Sequence, residues 1–86
     1  MPADEAVRTL LMCVGRRVAE LRRAQHLTQE SFAERLGVSV RYVQNVEQGR
    51  ENLTLASMLR LAAALCATPA DLLTSPVDPE PGSDPP

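Results

Sequence analysis

The sequence predicts an all-α domain over residues 1–74, followed by a disordered tail over residues 75–86. Apolar residues recur at helical spacing in five segments, and a Ser or Thr that can cap a helix precedes each of the last four: Thr28, Ser39, Thr54 and Thr68. The tail, SPVDPEPGSDPP, has five prolines in twelve residues and cannot form a helix or a sheet. A chain of 86 residues is long enough for one domain with a modest core.

The first predicted helix covers about residues 4–25. Apolar residues follow a 4-3-4-3 spacing along it: Val7, Leu11, Val14, Val18 and Leu21, with Leu10 beside them. We expect the last three positions of this spacing to pack inside the domain. The first turns, which carry Val7, Leu10 and Leu11, extend beyond it. They either help to build a dimer interface or fold back over the same core.

Residues 29–49 predict two short helices joined by a tight turn. Thr28 caps the first of these helices, and Phe32, Ala33 and Leu36 form its apolar face. Gly37 ends it, because the residue after a helix often needs a positive φ. A small residue, Ala33, stands where the two helices must approach each other.

The second of these helices begins after Ser39 and has one apolar and one polar side. Val43 and Val46 point towards the core. The opposite side carries what we call the reading row, at positions i, i+3, i+4 and i+7: Arg41, Gln44, Asn45 and Gln48. In a DNA major groove, Arg pairs with guanine, and Asn or Gln pairs with adenine. The pattern therefore indicates a helix-turn-helix that reads base edges, and the alternative is a polar row that only faces water.

The fourth helix begins after Thr54 and has a wide apolar surface, as expected for a helix that is covered on more than one side: Leu55, Met58, Leu59, Leu61, Ala62 and Leu65. The run TPAD then predicts the start of a short fifth helix, with Thr68 as its cap and Asp71 as the acid of a capping box. Leu72 and Leu73 in this helix suit a symmetric interface. We expect them to form the dimer interface together with Val7, Leu10 and Leu11.

The chain has a net charge of −2, but its charges are unevenly distributed between the domain and the tail. Asp78, Glu80 and Asp84 lie in the tail, so residues 1–74 keep eight of the eleven acids and all nine basic residues. Every basic residue is an Arg, the side chain best suited to bidentate contacts with phosphate and guanine. This balance favours specific DNA recognition over the non-specific binding of a polybasic protein.

Other function classes find little support in the sequence. Cys13 and Cys66 match no metal spacing and are expected to be buried free thiols in helices, with a redox switch or an intersubunit disulfide as the alternative. A single His, no paired catalytic carboxylates and no glycine-rich phosphate loop argue against an enzyme, so no cofactor and no metal are predicted. We see neither a signal peptide nor a membrane-spanning segment, which predicts a cytoplasmic protein.

Three phrases of the chain carry a family resemblance: LRRAQHLTQESFAERLGVS, VQNVEQGRENLTL and MLRLAAALCATPADLL. Through them, residues 21–73 resemble the Cro/C1-type (XRE) helix-turn-helix family, especially short members such as the controller proteins of restriction–modification systems. The resemblance implies a five-helix, lambda-repressor-like domain that binds double-stranded DNA as a homodimer on a pseudo-palindromic operator and regulates transcription. The first helix is longer than this family requires.

The resemblance also implies roles for individual residues. The base-contacting positions are Val40, Arg41, Gln44 and Asn45, and the backbone-contacting positions are Gln29, Ser39, Tyr42, Gln48 and Arg50. The ring of Tyr42 could equally be half-buried against the core. Arg22 and Glu47 align with a buried ion pair, and His26 stands where the family usually has a Gly at a helix end.

A second function remains open at this point. An antitoxin or an adaptor protein can use the same fold to bind another protein, and the tail could also recruit a protein partner. Against this alternative, the exposed positions of the helix that carries the reading row are polar. A protein-binding surface would present larger apolar side chains there.

Overall fold

The computed structural model describes residues 2–73, and these residues form five α-helices and no strand. The helices are α1 (Pro2–Ala24), α2 (Gln29–Leu36), α3 (Val40–Glu47), α4 (Leu55–Ala64) and α5 (Pro69–Leu73). The predicted all-α class is confirmed, and the extended first helix is present. Within the described residues, none of these helices combines the length and the hydropathy needed to cross a membrane. The predicted tail, residues 75–86, lies outside the described residues.

The four helices after α1 begin at the predicted caps. The hydroxyl oxygens of Thr28, Ser39, Thr54 and Thr68 each accept a hydrogen bond from the backbone N–H three residues later, at 2.9–3.2 Å. At α5 the capping box is complete, because the Thr68 N–H also donates to Oδ2 of Asp71 at 2.9 Å. The bond from the Thr68 backbone, and secondarily that from its side chain, lowers the pKa of Asp71 below its ordinary value. The helix starts are thus set by local sequence.

Within two residues of the end of each of the first four helices, one residue takes a left-handed backbone conformation: His26, Gly37, Gly49 and Cys66, with φ values of 59°, 78°, 74° and 55°. After each of them, the next N–H bonds back to a carbonyl five residues earlier, as in a Schellman motif. His26 therefore takes the conformation that Gly usually takes at this point. The prediction that Cys66 is a buried thiol in a helix is wrong, since α4 stops at Ala64 and Cys66 lies exposed in the turn.

The core lies between α1, α3 and α5 on one side and α2 and α4 on the other, and its fully buried members are Val14, Val18, Phe32, Ala33, Val43, Val46, Leu61, Ala62, Leu65 and Leu72. Leu72 has no exposed surface, so the prediction that it forms a dimer interface is wrong. Because α5 packs against both α1 and α4, the first of its two leucines points into the domain. The neighbouring Leu73 remains exposed.

The apolar surface of α4 is only partly covered in the single chain. Leu61 and Ala62 are buried, whereas Leu55 and Leu59 are 81% and 57% exposed. The sequence predicted a helix covered on more than one side, and the structure leaves the side with Leu55 and Leu59 open. Val7 and Leu10 of α1 are also exposed, and Leu11 is half-buried.

Two glycines let α1 approach the end of the helix-turn-helix closely. A Cβ on Gly15 would lie against the backbone carbonyl oxygen of Val46 and 2.7 Å from that of Glu47. One on Gly49 would lie 2.8 Å from Cγ of Met12. The middle of α1 therefore packs directly on the last turn of α3, and the turns before it lie beside the loop that follows α3.

Candidate nucleic-acid interface

The helix α3 carries the reading row away from the core. Val43 and Val46 are fully buried, and they fix the rotation of α3 about its own axis. Three residues of the reading row are exposed and Asn45 is half-buried. Among the described residues, nothing forms a side-chain hydrogen bond with Arg41, Asn45 or Gln48, so their polar groups are available to a molecule that docks on this side.

Gln29, the first residue of α2, braces α3. Its Nε2 donates to Oε1 of Glu47 at 3.0 Å, and its Oε1 accepts a long hydrogen bond of 3.4 Å from Nε2 of Gln44. The start of α2 is thereby tied to both the end and the middle of the reading helix. An amide NH2 has two donors, so Gln29 keeps one N–H that can bind an anion.

Arg22 and Glu47 form the ion pair that the resemblance implies, and it joins α1 to α3. The guanidinium Nε lies 2.7 Å from Oε2 of Glu47 and its Nη2 lies 3.1 Å from Oε1, while Nη1 donates to the Leu27 carbonyl at 2.8 Å. The two side chains are only 9% and 7% exposed. With its guanidinium occupied, Arg22 belongs to the scaffold that positions α3 and is not exposed to a ligand.

The other predicted contacts at α3 are either partly buried or already engaged within the protein. Val40 and Tyr42 are half-buried and pack against the core. For Tyr42 this is the alternative that the sequence left open. The hydroxyl of Ser39 accepts a hydrogen bond from the N–H of Tyr42 at 3.0 Å, so this hydroxyl caps α3. Among the described residues, the free polar groups at α3 are therefore those of Arg41, Asn45 and Gln48 in the reading row.

The loop after α3 presents Arg50 to solvent. The positive φ of Gly49 turns the chain, and the Arg50 N–H then donates to the Asn45 carbonyl at 2.8 Å. Among the described residues, no partner binds the Arg50 side chain. Together with Arg8 and Asn52, it lines a shallow cavity of about 350 Å³ between the loop and the first turns of α1.

Sequence reasoning missed three arginines of α1 that lie beside the predicted backbone contacts Gln29, Gln48 and Arg50. They are Arg8, Arg16 and Arg23. All three are exposed, and no described residue forms an ion pair or a hydrogen bond with their side chains. Arg16 and Arg23 line a second cavity, of about 570 Å³, together with Gln29 and Gln48. The spacing of these arginines along α1 was a signal in the sequence that could have identified them.

Comparisons with known proteins identify the family and agree with the fold. The family model described as "Helix-turn-helix" matches residues 18–72. The HTH-type transcriptional regulator y4dJ from Sinorhizobium fredii is 41% identical over 68 residues, which are 79% of this chain and 87% of the relative.

Two solved structures are also similar. The restriction–modification controller protein C.AhdI from Aeromonas hydrophila is 42% identical with a TM-score of 0.68, and the match covers 72% of this chain and 94% of that one. The clp gene regulator ClgR from C. glutamicum is 28% identical with a TM-score of 0.72, and the match covers 74% of this chain and 82% of that one. The predicted resemblance is confirmed. The chain belongs to the helix-turn-helix family and is a transcriptional regulator with a DNA-binding fold.

Proposed function

We propose that this protein binds a specific double-stranded DNA sequence as a homodimer and regulates transcription from a pseudo-palindromic operator. The observation that carries the proposal is the reading row, which is turned away from the core and has free polar groups. An α-helix fits into the major groove, where guanidinium and amide side chains form bidentate pairs with guanine and adenine. In a dimer, two copies of α3 would enter successive major grooves about 34 Å apart.

Within this proposal the contacts divide into two kinds. Arg41 and Asn45 discriminate bases, with Gln44 and the half-buried Val40 beside them. Gln29, Gln48 and Arg50 hold the sugar-phosphate backbone and set the register, and Ser39 and Tyr42 support this role at the start of α3. Base contacts supply specificity, whereas phosphate contacts supply affinity that does not depend on sequence.

Arg41 and Arg50 test this division because both are exposed arginines whose side chains have no partner among the described residues. Arg41→Ala should cost about 1–3 kcal/mol of specific binding and relax the preference at one base position. Arg50→Ala should weaken binding to all duplexes alike. Selection of binding sites from random duplex DNA, run in parallel for the wild type and both variants, measures the two effects. If Arg41→Ala selects the wild-type sites with undiminished preference, this part of the proposal is wrong.

The exposed leucines support the homodimer. Leu55 and Leu59 are one turn apart on α4, and Leu73 is exposed on α5, which packs against α4. Contiguous exposed apolar side chains mark protein interfaces, and a domain with so small a core gains stability from dimerisation. We therefore place the centre of the dimer interface at these three leucines. The first turns of α1, with Val7, Leu10 and Leu11, are the second apolar surface, and the sequence had favoured it.

Leu59→Glu should convert the dimer into a monomer at micromolar concentration, because a charge would be buried in an apolar interface. Leu10→Glu is the matched control, since it places the same charge on the apolar surface of α1. Sedimentation velocity gives the mass of each variant. A monomeric Leu10→Glu beside a dimeric Leu59→Glu would move the interface to α1. A wild type that stays monomeric, free and on DNA, would reject the homodimer.

A further inference from the structure

We infer that one face of α1 is a second DNA-binding surface, on which Arg8, Arg16 and Arg23 bind phosphates of the strand next to the major groove. The inference rests on the proposed function, and it adds a contact surface outside the helix-turn-helix. We call these three residues the α1 arginine row. They are separated by eight and seven residues, which places them within about 80° of one another around the helix. From the first to the last, the row spans about 22 Å of helix, at about 1.5 Å per residue.

The α1 arginine row is continuous with the proposed DNA surface. Arg16 and Arg23 share one cavity with Gln29 and Gln48, the proposed backbone contacts at the start of α2 and the end of α3. Arg8 shares the other cavity with Arg50 and Asn52 of the loop after α3. A strand that touches Gln29, Gln48 and Arg50 therefore runs along the edge of α1.

The charges in this region favour an anion. All three arginines are without an internal partner, as judged over the described residues. The acids beside them are engaged elsewhere: Glu20 pairs with Arg17, and Glu47 pairs with Arg22. Asp4 and Glu5 lie in the first turn of α1, where the helix dipole favours them. Asp4 also lines the cavity that Arg8 and Arg50 share, and the two guanidinium groups outnumber its carboxylate there. Free guanidinium groups that line both cavities along α1 form a positively charged surface to which phosphates bind.

The row is also held in place relative to the reading helix. Gly15 lies between Arg8 and Arg23 in the sequence, and its lack of a side chain lets α1 touch the carbonyls of Val46 and Glu47. Gly49 packs on Met12 in the same way. Because α1 packs on the last turn of α3 and on the loop that follows it, its arginines approach the DNA together with α3.

The test is the salt dependence of DNA binding by the variant with Arg8→Gln, Arg16→Gln and Arg23→Gln. Fluorescence anisotropy measures Kd between 50 and 200 mM salt, on a duplex selected by the wild-type protein and on a shuffled duplex. The slope of log K against log salt should become shallower by about 0.9 per arginine, or about 2.7 in all. The advantage of the wild type at the lower salt concentration should therefore shrink by about 40-fold at the higher one, equally on both duplexes.

Two further variants serve as controls. Arg35→Gln removes the same charge from α2, on the side that bonds to the Ala64 carbonyl, and should leave the slope unchanged. The triple Arg→Lys variant keeps the three positive charges and should keep the wild-type slope. Thermal melts establish that each variant is folded. If the triple Gln variant has the wild-type slope while the wild type binds its selected duplex, the α1 surface is rejected and the proposed function stands. A wild type that binds neither duplex overturns both.

Discussion

Replacing Arg22 with alanine should lower the free energy of unfolding by about 3–5 kcal/mol, because it leaves the carboxylate of Glu47 buried without its charged partner. Among the described residues, the Glu47 carboxylate would keep only the hydrogen bond from Gln29. The Leu27 carbonyl would lose its donor as well. Since this cluster joins α1, α2 and α3, the loss should also weaken DNA binding. Urea denaturation followed by circular dichroism measures the effect.

The other ion pair of α1 is the matched control. Arg17 and Glu20 are 25% and 50% exposed, and exposed pairs contribute little. Glu20→Ala should therefore change the free energy of unfolding by less than about 1 kcal/mol. The double variant Arg22→Ala with Glu47→Ala should be less destabilised than the sum of its single variants, because no charge remains unpaired. Equal, small losses for Arg22→Ala and Glu20→Ala would contradict the scaffold role of Arg22.

Gly15→Ala should destabilise the fold by about 2 kcal/mol. The added methyl group meets backbone carbonyls of α3 that cannot rotate away, so α1 and α3 must separate, at a cost of about 3 kcal/mol. Better helix propensity returns about 1 kcal/mol. At an unconstrained helix position, the same substitution would stabilise the protein. The sign of the measured change in unfolding free energy therefore shows whether Gly15 is needed for the close approach of α1 and α3.

Gly37→Asn is the control for this prediction. Gly37 is constrained by its backbone conformation, with a φ of 78°, and not by space, because a Cβ there meets nothing within 4 Å. Asn tolerates the left-handed region, so the change should cost less than about 1 kcal/mol. Thermal melts of both variants under the same conditions give the comparison. A stabilised Gly15→Ala protein would show that the two helices are not packed as closely as described.

Much of the fold was predictable, because its helix ends depend on local chemistry. Thr28, Ser39, Thr54 and Thr68 each cap the helix that the sequence assigned to them. Gly37 takes the predicted positive φ. The apolar faces were also predictable where two residues agree with one helical period, as Val43 and Val46 do. These two positions determine the direction of the reading row.

What was not predictable depends on how helices pack against each other. Leucines at neighbouring positions give no local signal for which one is buried, and Leu72 was misplaced for that reason. The exposure of Leu55 depends on the partners of α4, which its own sequence does not reveal. Cys66 has apolar neighbours, as a buried residue would, yet it lies in the turn that ends α4. The role of Gly15 required knowledge of where α1 crosses α3.

The most direct test of the central claim is an NMR titration of isotope-labelled protein with its selected duplex and with a shuffled one. We predict that the side-chain signals of Arg41, Gln44 and Asn45 shift strongly on the selected duplex and only weakly on the shuffled one, whereas the signal of Gln48, a proposed backbone contact, shifts on both. The signals of Leu55 and Leu59, which lie on α4 outside the proposed DNA surface, should not distinguish the two duplexes. Unmoved signals along the reading row at saturating DNA would contradict the claim that this surface recognises bases.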